Sequence, residues 1–215
     1  MEKSSRVIAV VALCVAVVGL TLGFAAFSNT LTIESSANVK PDASTFNVDF
    51  SSSESALETN PVTAVTEPGG LTTGPATISN VGAPTISGLS VEFTEPGQKA
   101  TYTFYARNEG EFTAFLKSIN YANAEGGSAP RKCTATGEAS EDLVLAACED
   151  ITLSVKVGSE SAVTGTNASI TGHTLNKDAS EKIVVEIEYA ADGTRADGEF
   201  SVEFGDVSLT YSSVD

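Results

Sequence analysis

Alternation of apolar and polar residues with period two runs through most of the chain beyond residue 27. Leu31 and Ile33 alternate with Thr30, Thr32 and Glu34, and Phe46, Val48 and Phe50 with Asn47 and Asp49. Leu89, Val91 and Phe93 precede a turn at Glu95-Pro96-Gly97, and Tyr102, Phe104 and Ala106 run up to Asn108-Glu109-Gly110. Phe112, Ala114 and Leu116 follow at once, so these last two segments read as a hairpin around a short Gly-containing turn. Ile151 to Val157 and Ile183 to Tyr189 repeat the pattern. In the closing segment Phe200, Val202 and Phe204 shift parity to Val207, Leu209 and Tyr211, and a bulge at Gly205-Asp206 would keep both halves facing a core. Period two marks half-buried strands. The expected fold is all-β, with eight or nine antiparallel strands in a two-sheet sandwich or jelly roll.

Polar stretches separate these strands. Residues 51–74 are rich in Ser, Thr, Glu and Gly and read as a flexible loop. Residues 122–150 read as an excursion, with the segment between Cys133 and Cys148 an excursion or short helix, and residues 158–180 as a polar connection carrying the glycosylation-acceptor pattern Asn167-Ala168-Ser169. No fixed-period repeat and no long helical periodicity appears after the N-terminal region.

The N-terminus differs from everything that follows. A short head with Lys3 and Arg6 precedes an apolar run from Val7 to Phe27. This order is that of an export signal. Gly23-Phe24-Ala25 places small residues at the −3 and −1 positions of a cut between Ala25 and Ala26, and a second small-x-small site, Ala26-Phe27-Ser28, would cut before Asn29. A run of about 20 residues is also long enough to span a bilayer as an uncleaved anchor. Cys14 follows the bulky Leu13 and reads as an apolar residue of the signal. The expected organisation is a signal peptide over 1–25, a short N-terminal strand segment over 26–43 and a β-domain over 44–215.

Charge and cysteine use agree with export. The chain holds 28 acidic and 12 basic residues, a net charge of −16. The segment ahead of the cut removes two basic residues and one acidic residue, so the processed chain is more acidic still. That balance disfavours nucleic acid and anionic membrane surfaces as partners, leaving the membrane a role only through the precursor's N-terminal segment. The remaining cysteines, Cys133 and Cys148, form an even count in an oxidising compartment and are expected to pair. Fourteen residues lie between them, and closing such a loop contributes about 3 kcal/mol in the chain-entropy model.

Candidate chemistry is thin. His173 is the only histidine and reads as a polar loop residue among Thr171, Gly172, Thr174 and Leu175. Any Ser-His-Asp or Cys-His site would have to use it, yet no Ser is marked as activated and the cysteines are expected to pair. No catalytic residue is assigned, and the chain is not expected to be an enzyme. Glu138, Glu141, Asp142, Glu149 and Asp150 form an acidic cluster without the spaced ligands and turn glycine of a calcium loop, and read as a solvated surface. No zinc pattern or phosphate-cradling glycine loop occurs, so no metal and no cofactor is expected.

Phe24-Ala25-Ala26-Phe27-Ser28-Asn29, directly after the apolar run, resembles the processing region of TasA/camelysin-type proteins. These are exported fibre-forming proteins of bacterial biofilm matrices, with archaeal relatives that form bundling pili. Ser44-Thr45-Phe46-Asn47-Val48-Asp49 resembles the family's first strand after the processed end. Glu95-Pro96-Gly97-Gln98, Tyr102-Thr103-Phe104 and Asn108-Glu109-Gly110 resemble its Pro-Gly turn, strand and Asn-Gly turn. The chain departs from the family in its cysteine pair and its scarcity of lysine. The resemblance implies a jelly-roll subunit, cut between Ala25 and Ala26 by a signal peptidase, that polymerises with copies of itself by donor-strand exchange in an extracellular or cell-surface filament.

The residues themselves supply a donor strand. Phe27, Leu31 and Ile33 share one parity, as do Ala37 and Val39. An apolar face of this kind fills pockets in a neighbour's open sheet while its main chain hydrogen-bonds along the edge. It serves equally well as an ordinary strand of its own domain. A monomeric secreted or membrane-anchored binding module is the alternative function. The secreted protein is expected to begin at Ala26, as read by N-terminal sequencing or intact mass; intact Met1 in a membrane fraction would favour the anchor.

Overall fold

In the computed structural model the described residues are 28–33, 46–81, 84–124, 129–135, 138–198 and 200–214. They are mostly β, with one short helix. Ala25, Ala26, Phe27, Ala37 and Val39 lie outside the described residues, as does the whole signal segment 1–25.

The first of two six-stranded sheets contains β1 (Ser28–Ile33), β5 (Thr77–Ser79), β6 (Thr85–Ser87), β9 (Ala114–Tyr121), β13 (Ala168–Leu175) and β16 (Val207–Ser212). Their order is β13-β9-β16-β1-β6-β5. The second contains β2 (Val48–Ser51), β3 (Val65–Glu67), β8 (Lys99–Asn108), β11 (Ile151–Val157), β12 (Val163–Thr164) and β14 (Ser180–Tyr189), ordered β12-β11-β14-β8-β2. The outer edge of the ten-residue β8 is shared: β2 pairs with its C-terminal end and β3 with its N-terminal end. Two small ladders complete the fold, β4 (Thr73–Gly74) with β7 (Ser90–Val91) and β10 (Arg131–Ala135) with β15 (Phe200–Phe204).

Both large sheets bury one face in a common core. Alternate residues of β8 (Ala100, Tyr102, Phe104 and Ala106) and of β14 (Ile183, Val185, Ile187 and Tyr189) are buried with Leu116 and Ile119 of β9 and Val207, Leu209 and Tyr211 of β16. At about 1.5–3 kcal/mol for each large apolar side chain removed from water, this shared layer dominates the stability of the fold.

Four expectations are corrected. The segments around Asn108-Glu109-Gly110 do not form a hairpin, because β8 and β9 belong to different sheets and each already has strands on both edges. Asn108 makes the corner instead. Its buried Nδ2 donates to Phe112 O (2.7 Å) and Leu175 O (2.9 Å), and its Oδ1 accepts from Gly110 N (3.0 Å). Residues 200–211 are not one bulged strand either. The chain leaves β15 and enters the other sheet as β16, and the parity shift marks that transfer.

The other two corrections concern polar stretches that hold strands. Residues 51–74 include β3 and β4, and Ser51 Oγ organises the turn before them by accepting from Ser53 N (3.0 Å) and Glu58 N (3.0 Å). Within 158–180, β13 pairs with β9 as an edge strand. An edge strand buries little of its surface, so its Ser, Thr and His residues hid its alternation.

The one helix among the described residues, α1 (Glu141–Glu149), lies in the segment between the cysteines that reads as an excursion or short helix. Glu141 and Asp142 occupy its first turn, where negative charge suits the helix dipole. No basic residue stands in its last turn. Arg131 of β10 supplies the cation, donating to Glu149 O (2.8 Å) and Ile151 O (3.1 Å). Val144, Ala147 and Cys148 form the buried side of the helix.

The transfer between sheets depends on Gly205. Gly205 N donates to Pro130 O (2.8 Å), and Ala122 N donates to Asp206 O (2.8 Å). A Cβ at this position would lie 2.1 Å from Ala122 O and 2.6 Å from Asn123 C, both backbone atoms. Gly205→Ala is expected to lower stability by about 1–3 kcal/mol, the usual range for overpacking, as measured by chemical denaturation.

Candidate assembly site

The site begins with the register of β1. It runs antiparallel to β16 over six pairs: Ser28 opposite Ser212, Asn29 opposite Tyr211, Thr30 opposite Thr210, Leu31 opposite Leu209, Thr32 opposite Ser208 and Ile33 opposite Val207. On its other side it meets β6 in parallel, with Thr32 opposite Thr85. Leu31 and Ile33 therefore occupy the register positions of Leu209 and Val207, both core residues of β16.

This placement makes β1 an interior strand. Adjacent strands are spaced by about 4.8 Å, so taking β1 away would open a slot roughly 10 Å wide between β16 and β6. One wall of that slot would be the unpaired edge of the chain's last strand. The other would be the short β5–β6 hairpin, whose Ile78 and Ile86 are buried in the core. Only another extended strand satisfies both the backbone groups and the apolar positions of such a slot. Of the donor-strand residues read from the sequence, the structure places Leu31 and Ile33 in this slot of their own chain.

The outer edge of β2 is guarded differently. Asn80, just after β5, turns its side-chain amide onto β2. Asn80 Nδ2 donates to Phe50 O (2.8 Å), and Phe50 N donates to Asn80 Oδ1 (3.2 Å). One side chain thereby imitates a partner strand.

Cys133 of β10 and Cys148 of α1 are joined by a disulfide with a Cα–Cα distance of 5.9 Å. The pairing expected from the sequence is present. It fastens the helix to the small β10–β15 ladder. Among the described residues, no group of three or more His, Cys, Asp or Glu side chains is arranged to hold a metal ion. Within the acidic cluster, Asp150 has a structural bond: its Oδ2 accepts from Thr194 N (2.6 Å). Asn167 Oδ1 accepts from Tyr121 N (2.7 Å), tying its side chain to the end of β9.

Sequence reasoning missed a polar cluster around His173. The residue sits on β13 rather than in a loop, with its side chain only 9% exposed. Its Nδ1 lies 2.9 Å from Glu160 Oε1, and its Nε2 contacts Glu181 Oε2. Tyr211 Oη donates to the other oxygen of Glu181 at 2.6 Å. Burial opposes protonation of His173 but is outweighed by the two glutamates, so its pKa rises above the ordinary 6.5. Burial, reinforced by the charge of Glu181, pushes the Tyr211 phenol well above its usual range, so it remains a donor. The four positions have no motif spacing that would announce them.

An open groove of about 1150 Å³ lies between the segment around β7 and β15, with Phe93, Ile187, Tyr189, Phe200, Val202 and Phe204 among its lining residues. Arg195 and Asp197 add charge to it.

Compared with known proteins, the chain matches no family model, no curated protein and no solved structure. The resemblance to TasA/camelysin-type proteins rests on the short stretches named above.

Thiol titration of the denatured, unreduced processed chain is expected to find no free cysteine. Cys133→Ser/Cys148→Ser should lower stability by about 3 kcal/mol, as read from denaturant midpoints; an unchanged midpoint would assign the bridge no stabilising role.

Proposed function

We propose that this chain is an exported structural subunit of jelly-roll, two-sheet sandwich type that polymerises head-to-tail by donor-strand exchange into extracellular filaments. Export is read from the N-terminal segment, with removal of residues 1–25. The observation that carries the assembly reading is the place of β1. It is the first described strand of the chain, it lies inside a sheet, and its partners β16 and β6 come from distant parts of the sequence. An N-terminal strand of this kind can leave its slot without unthreading the remaining strands. The same register then accepts the corresponding strand of another copy.

Such an exchange conserves interactions. Six antiparallel pairs lost within one chain are regained between two, and the positions opposite Val207 and Leu209 are filled as before. The contact is heterologous, because the donor segment and the acceptor slot are different surfaces, and repeated heterologous contacts that do not close make filaments. Strand addition of this type combines main-chain hydrogen bonding with side-chain pockets.

A second reading is a monomeric secreted or membrane-anchored β-sandwich binding module. Two observations favour it: β1 completes the sheet of its own chain, and the apolar groove beside β15 offers a concave surface. Substitutions at Leu31 and Ile33 would alter β1 alike in its own sheet and in a neighbour's and would not separate the readings.

A cross-link separates them. Thr30 and Thr210 are direct register partners in an antiparallel ladder, where opposite Cα atoms stand about 4.5–5.5 Å apart, a separation suited to a disulfide. Thr30→Cys/Thr210→Cys protein, allowed to assemble and then oxidised, is expected to give a covalent ladder of multimers on a non-reducing gel and filaments by electron microscopy. Cross-linking confined to single chains, with dispersed particles, would establish the monomeric module.

A further inference from the structure

The cluster around His173 joins the two sheets. Glu160 follows β11, and Glu181 belongs to β14, both of the second sheet; His173 of β13 and Tyr211 of β16 belong to the first. The side chains form one line, Glu160–His173–Glu181–Tyr211. Its far end is Tyr211, the register partner of Asn29 in β1.

The chemistry of this line depends on one proton. A carboxylate only accepts hydrogen bonds. A neutral imidazole has one N–H, so it can satisfy one glutamate and must turn a lone pair towards the other. The imidazolium donates to both. Glu160 faces the ring from the turn after β11, Glu181 from β14, and Tyr211 stands behind Glu181 from β16. On β9 the register partner is the apolar Leu116. The backbone of Gly158 closes one side, where even a Cβ would lie 3.1 Å from His173 Cε1.

We infer that Glu160, His173, Glu181 and Tyr211 form a pH-sensitive latch that holds the Tyr211 end of β16, and the Ser28 end of β1 paired to it, in the first sheet while His173 is protonated. With the proton present, Glu181 is fixed by His173 and presents its second oxygen to Tyr211. With the proton gone, the single ring N–H serves only one of the two glutamates and a lone pair faces the other, so the line is broken at one of its links and its hold on Glu181 weakens. The loosening is local. It reaches 28–30 and 210–212 but leaves the Ile33–Val207 end held by its own pairing. The latch concerns retention of β1 in its own sheet, so it stands whether or not that strand is exchanged between chains.

The sign follows from the pKa of His173, which is higher in the folded chain than in the unfolded one. The stabilisation is present in full below about pH 6.5 and is lost as pH rises through the folded value.

His173 is the only histidine, so its ring signals are unambiguous in an NMR titration of the processed full-length chain from pH 5 to 9. Both ring nitrogens should be protonated at pH 6. Amide protection at 28–30 and 210–212, corrected for intrinsic exchange, should fall about tenfold for each unit of pKa elevation, with the midpoint of the His173 titration. Protection at 183–187 should stay level. His173→Gln should remove the pH dependence. Should that variant fail to fold, Tyr211→Phe decides, since it leaves His173 titrating but should uncouple it from protection of β1. Protection that ignores pH, follows a different midpoint, or remains coupled in Tyr211→Phe overturns the latch.

Discussion

A strand in the middle of a sheet must have hydrogen-bonding partners along both edges, and β16 meets that requirement with the beginning and the middle of the same chain. Its partner on one side is β9; on the other it is β1. Every backbone N–H and C=O left unpaired in a buried position costs free energy, so the slot beside β16 has to be occupied. The core depends on the same condition, since Val207, Leu209 and Tyr211 project into it from the strand whose edge β1 covers. Beyond β1, the β5–β6 hairpin joins the sheet through a single parallel bridge. The first sheet is therefore continuous only because a six-residue segment from near the N-terminus lies within it.

Long strands of the second sheet were legible because one face of each is buried and the other solvated. Lys99–Asn108, Ile151–Val157 and Ser180–Tyr189 alternate without interruption, and period two has no other common cause. The cysteine pair was legible for a different reason, an even count in a chain with an export-like N-terminus. Pairing between strands was not legible. Nothing in Asn108-Glu109-Gly110 distinguishes a hairpin from a corner, because the decision rests on contacts of the Asn108 side chain to Leu175 O, 67 positions away. Gly205 likewise read as a bulge, since the close approach of Ala122 is a tertiary fact. β13 was hidden by its polarity, which is what an edge strand can tolerate.

The polar cluster shows the same limit at the level of chemistry. Glu160, His173, Glu181 and Tyr211 come from four elements and meet only because β13 and β16 flank β9 while β14 packs from the opposite sheet. A histidine in a run of Thr and Gly carries no mark of burial. Its environment is set by Glu181, on a strand whose own pattern reads as ordinary alternation. Residues that act together across two sheets leave no local spacing to read.

The pairing of β1 with β16 also has a mechanical side. Its six residue pairs lie along the strand, and the hydrogen bonds between antiparallel strands run across it. A force that pulls β1 along its own axis therefore loads all these bonds together, in shear. A force that lifts one end loads them one after another, as a zipper opens. The same joint resists axial tension strongly and yields to peeling, so its direction of loading, more than its number of bonds, sets how firmly the strand is held.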